Sequence, residues 1–334
     1  MTGDAARADR RAHLAIAGII VAGVLVRLLV LRSPGFPSDV ATFQAWAERL
    51  AQIGPARFYE PGYFSDYPPG YLYVLWLFGA LFDGELLRLV VKAASIPADI
   101  GIALMSAALV WRAGRGYAIL AVALWMLAPA PIFAGPYWGQ VDAVGTVPLM
   151  AALISAGRGR WATAGLLAGI AVMVKPQFGI ALLIVMAAAV VVWIRYADWR
   201  APLRAAAASG LTVLALGLPF RSGPGELIDL VRSATETYPY TSLYAFNIWS
   251  IVGDFWKPDA AYFVPGGILL LLGLAGSCVI LWKSRDVPTL LAAGALAAMP
   301  STSFRRARTS GISSRRWPCC SRSRRCALGC CCHT

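Results

Sequence analysis

Residues 164–194 read AGLLAGIAVMVKPQFGIALLIVMAAAVVVWI and contain one charged residue, Lys175. Inside a lipid bilayer each backbone N–H and C=O needs a partner within the protein, so a long apolar stretch must be helical. The sequence Lys175-Pro176-Gln177 divides this stretch, because proline interrupts the hydrogen-bond ladder of a helix. The stretch therefore predicts two membrane helices, over 162–174 and 177–195, joined by a short polar break.

The rest of the chain has the same character. Of its 334 residues, 58% are hydrophobic and 14% are charged, whereas about 25% of the residues in a soluble domain are charged. Further apolar runs cover 14–31, 86–111, 117–133, 143–157, 203–220, 264–283 and 287–300. We predict an all-α polytopic bundle of about nine transmembrane helices.

Basic connectors alternate with polar, aromatic loops along the chain. Arg and Lys cluster before the first run and in the connectors 112–115, 158–160, 195–204 and 283–285; carboxylates, aromatic residues and prolines concentrate in 33–70, 134–142, 174–177 and 221–263. The positive-inside rule places the basic set in the cytoplasm and the other set outside. The alternation requires that 86–111 crosses, whereas 71–83 is short for a span and is expected to be interfacial or re-entrant.

Two segments of the outer loops have apolar residues at helical spacing, 38–53 and 226–236. We expect both to be amphipathic helices that lie on the bilayer surface. Arg27 is the one charged residue in the run 14–31. Because it lies near the outer end of that run, we expect its side chain to reach the interface.

The formal net charge of +13 does not indicate nucleic-acid binding, because eight Arg lie in 301–334 and most other basic residues lie in short connectors. The two histidines, His13 and His333, provide no His-based triad or metalloprotease site, and no phosphate-binding glycine loop is present. Six of the seven cysteines lie in the tail at spacings that do not form paired C-x-x-C motifs.

Ionisable residues in or beside a membrane are costly, so each is a functional candidate. Asp39 follows Gly35-Phe36-Pro37-Ser38. Two interpretations of it remain open: a functional acid, or a cap of the helix 38–53. In the segment GPYWGQVD, residues 135–142, a turn explains the glycines and proline but not Trp138, Gln140 and Asp142 together. Lys175 is predicted on the outer side, against the positive-inside trend, where it suits a phosphate counter-charge.

Further candidates each have a structural alternative. Asp66 and Tyr67, in DYPPGY at 66–71, form part of a pocket wall or of the interfacial aromatic belt. Lys92 and Asp99 lie on either side of Pro97 within one predicted span and could pair with each other. The aromatic, hydroxyl-rich segment 238–247, which ends at Asn247, suits either stacking on a sugar or the same aromatic belt.

The order of these segments resembles the GT-C superfamily of membrane glycosyltransferases over residues 14–300. The resemblance consists of an acid in the first outer loop, then YPP at 67–69, WGQVD at 138–142 and KPQ at 175–177. It looks most like the bacterial relatives of the GPI-anchor second mannosyltransferase and of the dolichyl-phosphate-glucose glucosyltransferases. A YPP sequence alone is a weak signal, whereas WGQVD and KPQ in this order are more specific.

This resemblance implies an inverting transfer of a hexosyl, mannosyl-type sugar from a polyprenyl-phosphate donor to a glycan, lipid or protein acceptor outside the cytoplasmic membrane. Asp39 would be the general base. Lys175, with Lys92 as a second candidate, would stabilise the departing phosphate, and the remaining site residues would bind substrate: Asp66, Tyr67, Trp138, Gln140, Asp142, Gln177 and Asn247. We expect a metal-independent site without a cofactor; a divalent cation shared by Asp39 and Asp142 is the alternative. The rival functions are a transporter or flippase of lipid-linked sugars, and a structural scaffold.

The hydrophobic pattern stops near Met299. The segment that follows is rich in Arg, Ser and Cys and contains no Asp or Glu. Members of the GT-C group also carry a His-Glu-Arg/Lys-Tyr-Leu-like motif in a later outer loop, which this sequence lacks. Back-translation of 304–314 with G/C-favouring codons, read from the third base of the first codon, allows Pro-Thr-Arg-Ala-His-Glu-Arg-Tyr-Leu-Phe-Pro. We therefore expect a transferase module over 1–300 and a frameshifted, disordered tail over 301–334; a genuine basic cytoplasmic tail is the alternative.

If the tail is frameshifted, the chain lacks the His and Arg of that motif, and the resemblance implies impaired activity. Restoring the reading frame after codon 295 should then increase sugar transfer from a polyprenyl-phosphate donor, measured in membranes that contain equal amounts of each protein. Equal transfer before and after the repair would contradict the frameshift hypothesis.

Overall fold

The structure is a computed structural model that describes residues 2–237, 258 and 262–301. Within these residues the main elements are helices, which confirms the predicted all-α class. They are α1 (Thr2–Leu31), α2 (Pro37–Ile53), α3 (Pro69–Leu81), α4 (Gly84–Ala93), α5 (Ser95–Val110), α6 (Arg115–Met126), α7 (Pro129–Ile132), α8 (Asp142–Gly157), α9 (Trp161–Val174), α10 (Ile180–Tyr196), α11 (Arg200–Gly217), α12 (Pro224–Thr237), α13 (Phe263–Lys283) and α14 (Val287–Ser301).

Six helical stretches of the described residues are long and apolar enough to cross a membrane. They are Asp4–Leu31, Gly84–Val110, Arg115–Trp138, Pro176–Tyr196, Arg200–Phe220 and Val264–Lys283. All six were predicted from the sequence. The other three predicted spans correspond to shorter apolar helices, Asp142–Gly157, Trp161–Val174 and Val287–Ala298. The chain is therefore a polytopic helical membrane protein.

The two ends of the bundle differ in composition. At one end α1 and α6 begin side by side, where Arg115 Nε donates to Asp9 Oδ1 at 2.5 Å. Arg195 at the end of α10 donates to the Trp282 carbonyl of α13 at the same end. At the opposite end the Phe36 amide donates to the Trp138 carbonyl at 2.9 Å. In the part of the chain that the structure describes, the basic connectors and the loops around Phe36 and Trp138 thus lie at opposite ends of the bundle.

Helix α2 is amphipathic as predicted, but its apolar face packs against protein. Its buried residues are those that the spacing selected, Val40, Phe43, Trp46, Ala47 and Leu50. Phe43, Trp46, Ala47 and Leu50 form a core cluster with Tyr71, Leu72 and Leu75 of α3. The expectation that this face lies on the bilayer is wrong, because α3 covers it. Helix α12 also forms, with Ile228 and Val231 exposed, and its bilayer contact stays a prediction.

Helix α3 packs closely on its neighbours and has both its ends beside α2. A Cβ at Gly79 would lie 2.1 Å from the Ala47 carbonyl oxygen, and the Tyr71 ring lies 5.5 Å from that of Phe43. At 13 residues α3 spans about 20 Å, which is less than the bilayer core. Beyond α3, at the first residue of α4, the Gly84 carbonyl accepts a hydrogen bond from Gln44 Nε2 of α2 at 3.2 Å. Both α3 and the start of α4 therefore lie against α2, and the interfacial or re-entrant placement of 71–83 stays a prediction.

A buried ion pair joins the first helix to the α5–α6 pair. Arg27 is fully buried, and its Nε donates to Asp99 Oδ2 at 2.9 Å. Arg27 Nη1 donates to the Met126 carbonyl at 2.5 Å, and Trp125 Nε1 donates to Asp99 Oδ1 at 3.0 Å. Two expectations are wrong here: Arg27 does not extend to an interface, and Asp99 pairs with Arg27 rather than with Lys92. Arg27 faces into the bundle, where a carboxylate on α5 meets it.

We predict that Asp99→Leu lowers the free energy of unfolding by about 3–5 kcal/mol, because it leaves the Arg27 charge buried and unpaired. The double variant Arg27→Met, Asp99→Leu should recover most of this loss, since it removes both charges. Equilibrium unfolding of each purified variant in detergent measures the change in the free energy of unfolding for the single and the double variant. Asp9→Asn, which breaks an exposed pair with Arg115, is the control and should change stability little. A single variant as stable as the double variant would contradict the argument.

Candidate functional site

Six of the predicted site residues form one hydrogen-bonded cluster at the loop-rich end of the bundle, although they are far apart in sequence. The cluster comprises Asp39, Trp138, Gln140, Asp142, Lys175 and Gln177. They come from the first turn of α2, the connection between α7 and α8, the start of α8, and the break between α9 and α10. Sequence reasoning grouped these residues, and the tertiary structure brings them into contact.

The Asp39 carboxylate is half-buried and held by two donors. Its Oδ2 accepts from Trp138 Nε1 at 2.8 Å and from Gln140 Nε2 at 2.5 Å. The other oxygen, Oδ1, lies 3.5 Å from the Ser38 hydroxyl, a distance at which a hydrogen bond is weak. Helix α2 begins at Pro37, so its N-cap residue is Phe36 and not Asp39. No side chain forms a capping hydrogen bond at this N-cap. The interpretation of Asp39 as a helix cap is therefore wrong.

Gln140 connects this acid to a partly buried cation, Lys175. While its Nε2 donates to Asp39, its Oε1 accepts from Lys175 Nζ at 3.4 Å. Lys175 Nζ also donates to Asp142 Oδ1 at 3.0 Å, and Gln177 Nε2 reaches the same oxygen at 3.3 Å. One side-chain amide thus separates the carboxylate of Asp39 from the ammonium of Lys175.

Local backbone geometry presents these side chains at the helix ends. Residues Phe133–Trp138 form a π-helical turn, which is a wider winding than an α-helix and is frequent at functional sites. Gly139 follows at φ 100°, in the left-handed region, and a Cβ there would lie 2.8 Å from Val40. Asp142 then begins α8, where a carboxylate interacts favourably with the helix dipole. Pro176 follows Lys175, whose backbone is extended and ends α9.

Tyr67 lies against the cation of this site. Lys175 Nζ is 5.6 Å from the centroid of the Tyr67 ring, a cation–π distance. Burial raises the pKa of Tyr67 to about 12, an effect that Lys175 opposes and that Asp142 and Asp66 increase. Burial alone would lower the pKa of Lys175, but Tyr67 and Asp142 outweigh it, so this pKa is raised. At neutral pH the site therefore contains a neutral phenol and a protonated lysine.

Lys92 has a different place from the one expected. It is fully buried, and its Nζ donates to the Leu31 carbonyl at 2.8 Å, to the Ser33 carbonyl at 2.5 Å and to the Ser33 hydroxyl at 3.2 Å. These three acceptors use all three ammonium protons. Its side chain also packs beside Gly35 and Gly139. Lys92 therefore fixes the loop before Asp39, and we assign it as a positioning residue rather than a phosphate ligand.

The remaining candidates are placed less centrally. Asp66 is half-buried beside Tyr67, and Asn247 lies outside the described residues. Sequence reasoning gave no role to Phe36, whose ring stacks on Trp138 at 4.7 Å. The feature of the sequence that could have indicated a role for Phe36 is its position between Gly35 and Pro37. Across the described ranges, no group of three or more His, Cys, Asp or Glu side chains is placed to hold a metal ion.

Polar groups thus gather at one end of an apolar bundle, with an acid and a cation in one cluster. The family model of glycosyltransferase family 87 matches residues 64–302. The match covers more than two thirds of the chain, and the chain belongs to glycosyltransferase family 87, a GT-C-like family of membrane enzymes. No curated protein and no solved structure gives a significant match.

We predict that Lys92→Met reduces glycosyl transfer at least about 10-fold. The carbonyls of Leu31 and Ser33 would lose their buried donor, which also lowers stability by about 1–3 kcal/mol. The loop that places Asp39 would then lose its fixed position. Transfer rate and thermal unfolding, measured on the same preparation, separate the two effects.

Lys283→Met is the matched control, because Lys283 lies at the other end of the bundle and should leave transfer unchanged. A Lys92→Met protein that remains folded and transfers sugar at the normal rate would exclude a positioning role for Lys92.

Proposed function

We propose that this glycosyltransferase moves a hexosyl, mannosyl-type sugar from a polyprenyl-phosphate donor to an acceptor hydroxyl, with inversion at the anomeric carbon. The reaction would take place on the outer side of the cytoplasmic membrane. The observation that carries the proposal is the Gln140 amide between the Asp39 carboxylate and the Lys175 ammonium. A base and a cation held this close, without direct contact, suit the two ends of a displacement reaction.

In this reaction Asp39 accepts the proton of the acceptor hydroxyl as its oxygen attacks the anomeric carbon. The bond between the anomeric carbon and the phosphate oxygen breaks, and the polyprenyl phosphate leaves with the electron pair. Lys175 stabilises the negative charge that develops on this phosphate. Because the pKa of Lys175 is raised, it keeps its proton throughout the neutral range. Trp138 and Gln140 hold one Asp39 oxygen, so that the other can face the acceptor.

A lipid-linked donor fits the position of the cluster. Lys175 joins two apolar segments, Trp161–Val174 and Pro176–Tyr196. A phosphate on a lipid carrier is confined to the membrane surface, which is where the end of such a helix lies. In this proposal Asp142, Gln177 and Asp66 bind sugar or acceptor hydroxyls, and Tyr67 and Trp138 form the pocket walls. The closer similarity to the GPI-anchor second mannosyltransferase and the dolichyl-phosphate-glucose enzymes remains part of the proposal.

A transporter or flippase of lipid-linked sugars is the alternative function. Such proteins place polar groups near the middle of the membrane, between paired broken helices. The cluster around Asp39 consists instead of groups from helix ends, which favours chemistry at one face. The buried Arg27–Asp99 pair does lie within the spans, but its hydrogen bonds are to protein groups.

We predict that Asp39→Asn lowers the transfer rate about 10²–10⁴-fold while binding of the polyprenyl-phosphate sugar stays intact, because only the general base is lost. Transfer of radiolabelled sugar to endogenous membrane acceptors measures the rate, and retention of the donor by purified protein measures binding. The comparison is made in the chain as it stands and with its reading frame restored, so that a low basal rate does not hide the difference.

The matched control is Asp83→Asn, which changes another acid, at the start of α4 and outside the Asp39 cluster. Lys175→Met should weaken both donor binding and transfer, unlike Asp39→Asn. Undiminished transfer by Asp39→Asn would remove the base from the mechanism. Transfer from a nucleotide sugar but not from a polyprenyl-phosphate sugar would overturn the proposed donor.

A further inference from the structure

A basic groove lies at the opposite end of the bundle from Asp39, between α1 and α6. Its volume is about 560 Å³, within the range of small-molecule sites. The groove is lined by Asp4, Arg7, Ala8, Arg11, Ala12, Ala15, Arg115 and Ile119. None of these residues belongs to the cluster around Asp39, and the glycosyl transfer proposed above does not use them.

Two arginines one helical turn apart dominate this groove. Arg7 and Arg11 occupy the same face of α1, and neither forms an ion pair within the described residues. Arg115 faces them from the start of α6, and Asp9 holds it there through an ion pair. The N-terminus of α6 makes no capping bond with a side chain and adds the positive end of its dipole. The groove is therefore built for an anion, with Asp4 as its one lining acid.

The lining changes from charged to apolar along the groove. Both α1 and α6 begin at this end, so Ala12, Ala15 and Ile119 lie further along the two helices than Arg7 and Arg115. A free phosphate ion would use only the arginine end. A phospholipid would use both ends, with its phosphate at the arginines and its glycerol and acyl chains along the apolar part.

The depth of the groove also suits a lipid headgroup. From Arg11 to the end of α1 at Leu31 the helix rises about 30 Å, the thickness of the hydrocarbon core. The groove therefore lies at the headgroup level of the leaflet opposite the Asp39 cluster. Basic grooves between transmembrane helices on the cytoplasmic side bind the headgroups of anionic lipids.

We propose that this groove binds an anionic phospholipid through its phosphate group, as a site separate from that of sugar transfer. Arg7 and Arg11 would bind the phosphate directly, since Arg115 is already paired with Asp9. The bound lipid would connect α1 to α6 at the end where the exposed Asp9–Arg115 pair joins them.

The test compares Arg7→Gln, Arg11→Gln with the control Arg10→Gln, Arg112→Gln. Both double variants lose two exposed arginines near the same membrane face, but Arg10 and Arg112 do not line the groove. Phosphatidylglycerol bound to each purified protein is counted by native mass spectrometry, with phosphatidylcholine as the neutral reference. We expect the groove variant to bind phosphatidylglycerol roughly 10-fold more weakly than the control variant.

Two results would overturn the proposal. Equal loss in both double variants would show a diffuse attraction of the lipid to surface charge. If inorganic phosphate, added alone, displaced phosphatidylglycerol at comparable concentration, the site would be one for a free anion rather than for a lipid. Unchanged sugar transfer by the groove variant is expected, so the outcome does not depend on the proposed donor.

Discussion

A charge inside an apolar helix bundle persists only when other groups of the protein compensate it. Among the described residues, Arg27 and Lys92 are fully buried cations and Lys175 is a partly buried one, and each finds partners distant in sequence: Arg27 with Asp99, Lys92 with the loop after α1, and Lys175 with Asp142. Because a lost partner would leave a buried charge unpaired, these contacts fix the positions of whole segments. The placement of the first helix and of the loop leading to Asp39 depends on them.

This constraint also explains how the candidate site is kept in shape. Lys92 holds the loop before Asp39, while the Phe36 amide joins that loop to Trp138 in the π-helical turn. Asp39 and the donors that bind it are thereby fixed from both sides. A direct ion pair between Asp39 and Lys175 would engage both groups with each other. The Gln140 amide keeps them close yet separate, so that each can act on a different part of a substrate.

Much of the fold followed from local pattern. The apolar spacing of 38–53 selected the five residues that α2 buries, and the apolar runs located the six long membrane helices found among the described residues. The same reasoning did not identify what covers each apolar face. Helix α2 packs on α3 and not on lipid, and Arg27 turns inward to Asp99. An amphipathic pattern gives the direction of the buried face, but lipid and a neighbouring helix satisfy it equally well.

The sequence by itself determined the class of protein, the helices and the set of polar residues that a membrane makes costly. It did so because hydrophobic periodicity and the expense of intramembrane charge are local properties of the chain. Only the tertiary structure decided which costly residues are partners: Asp99 belongs to Arg27, Lys92 to Ser33, and Asp39 to Trp138 and Gln140. Pairing depends on distances between segments up to a hundred residues apart, and those distances arise only when the helices pack.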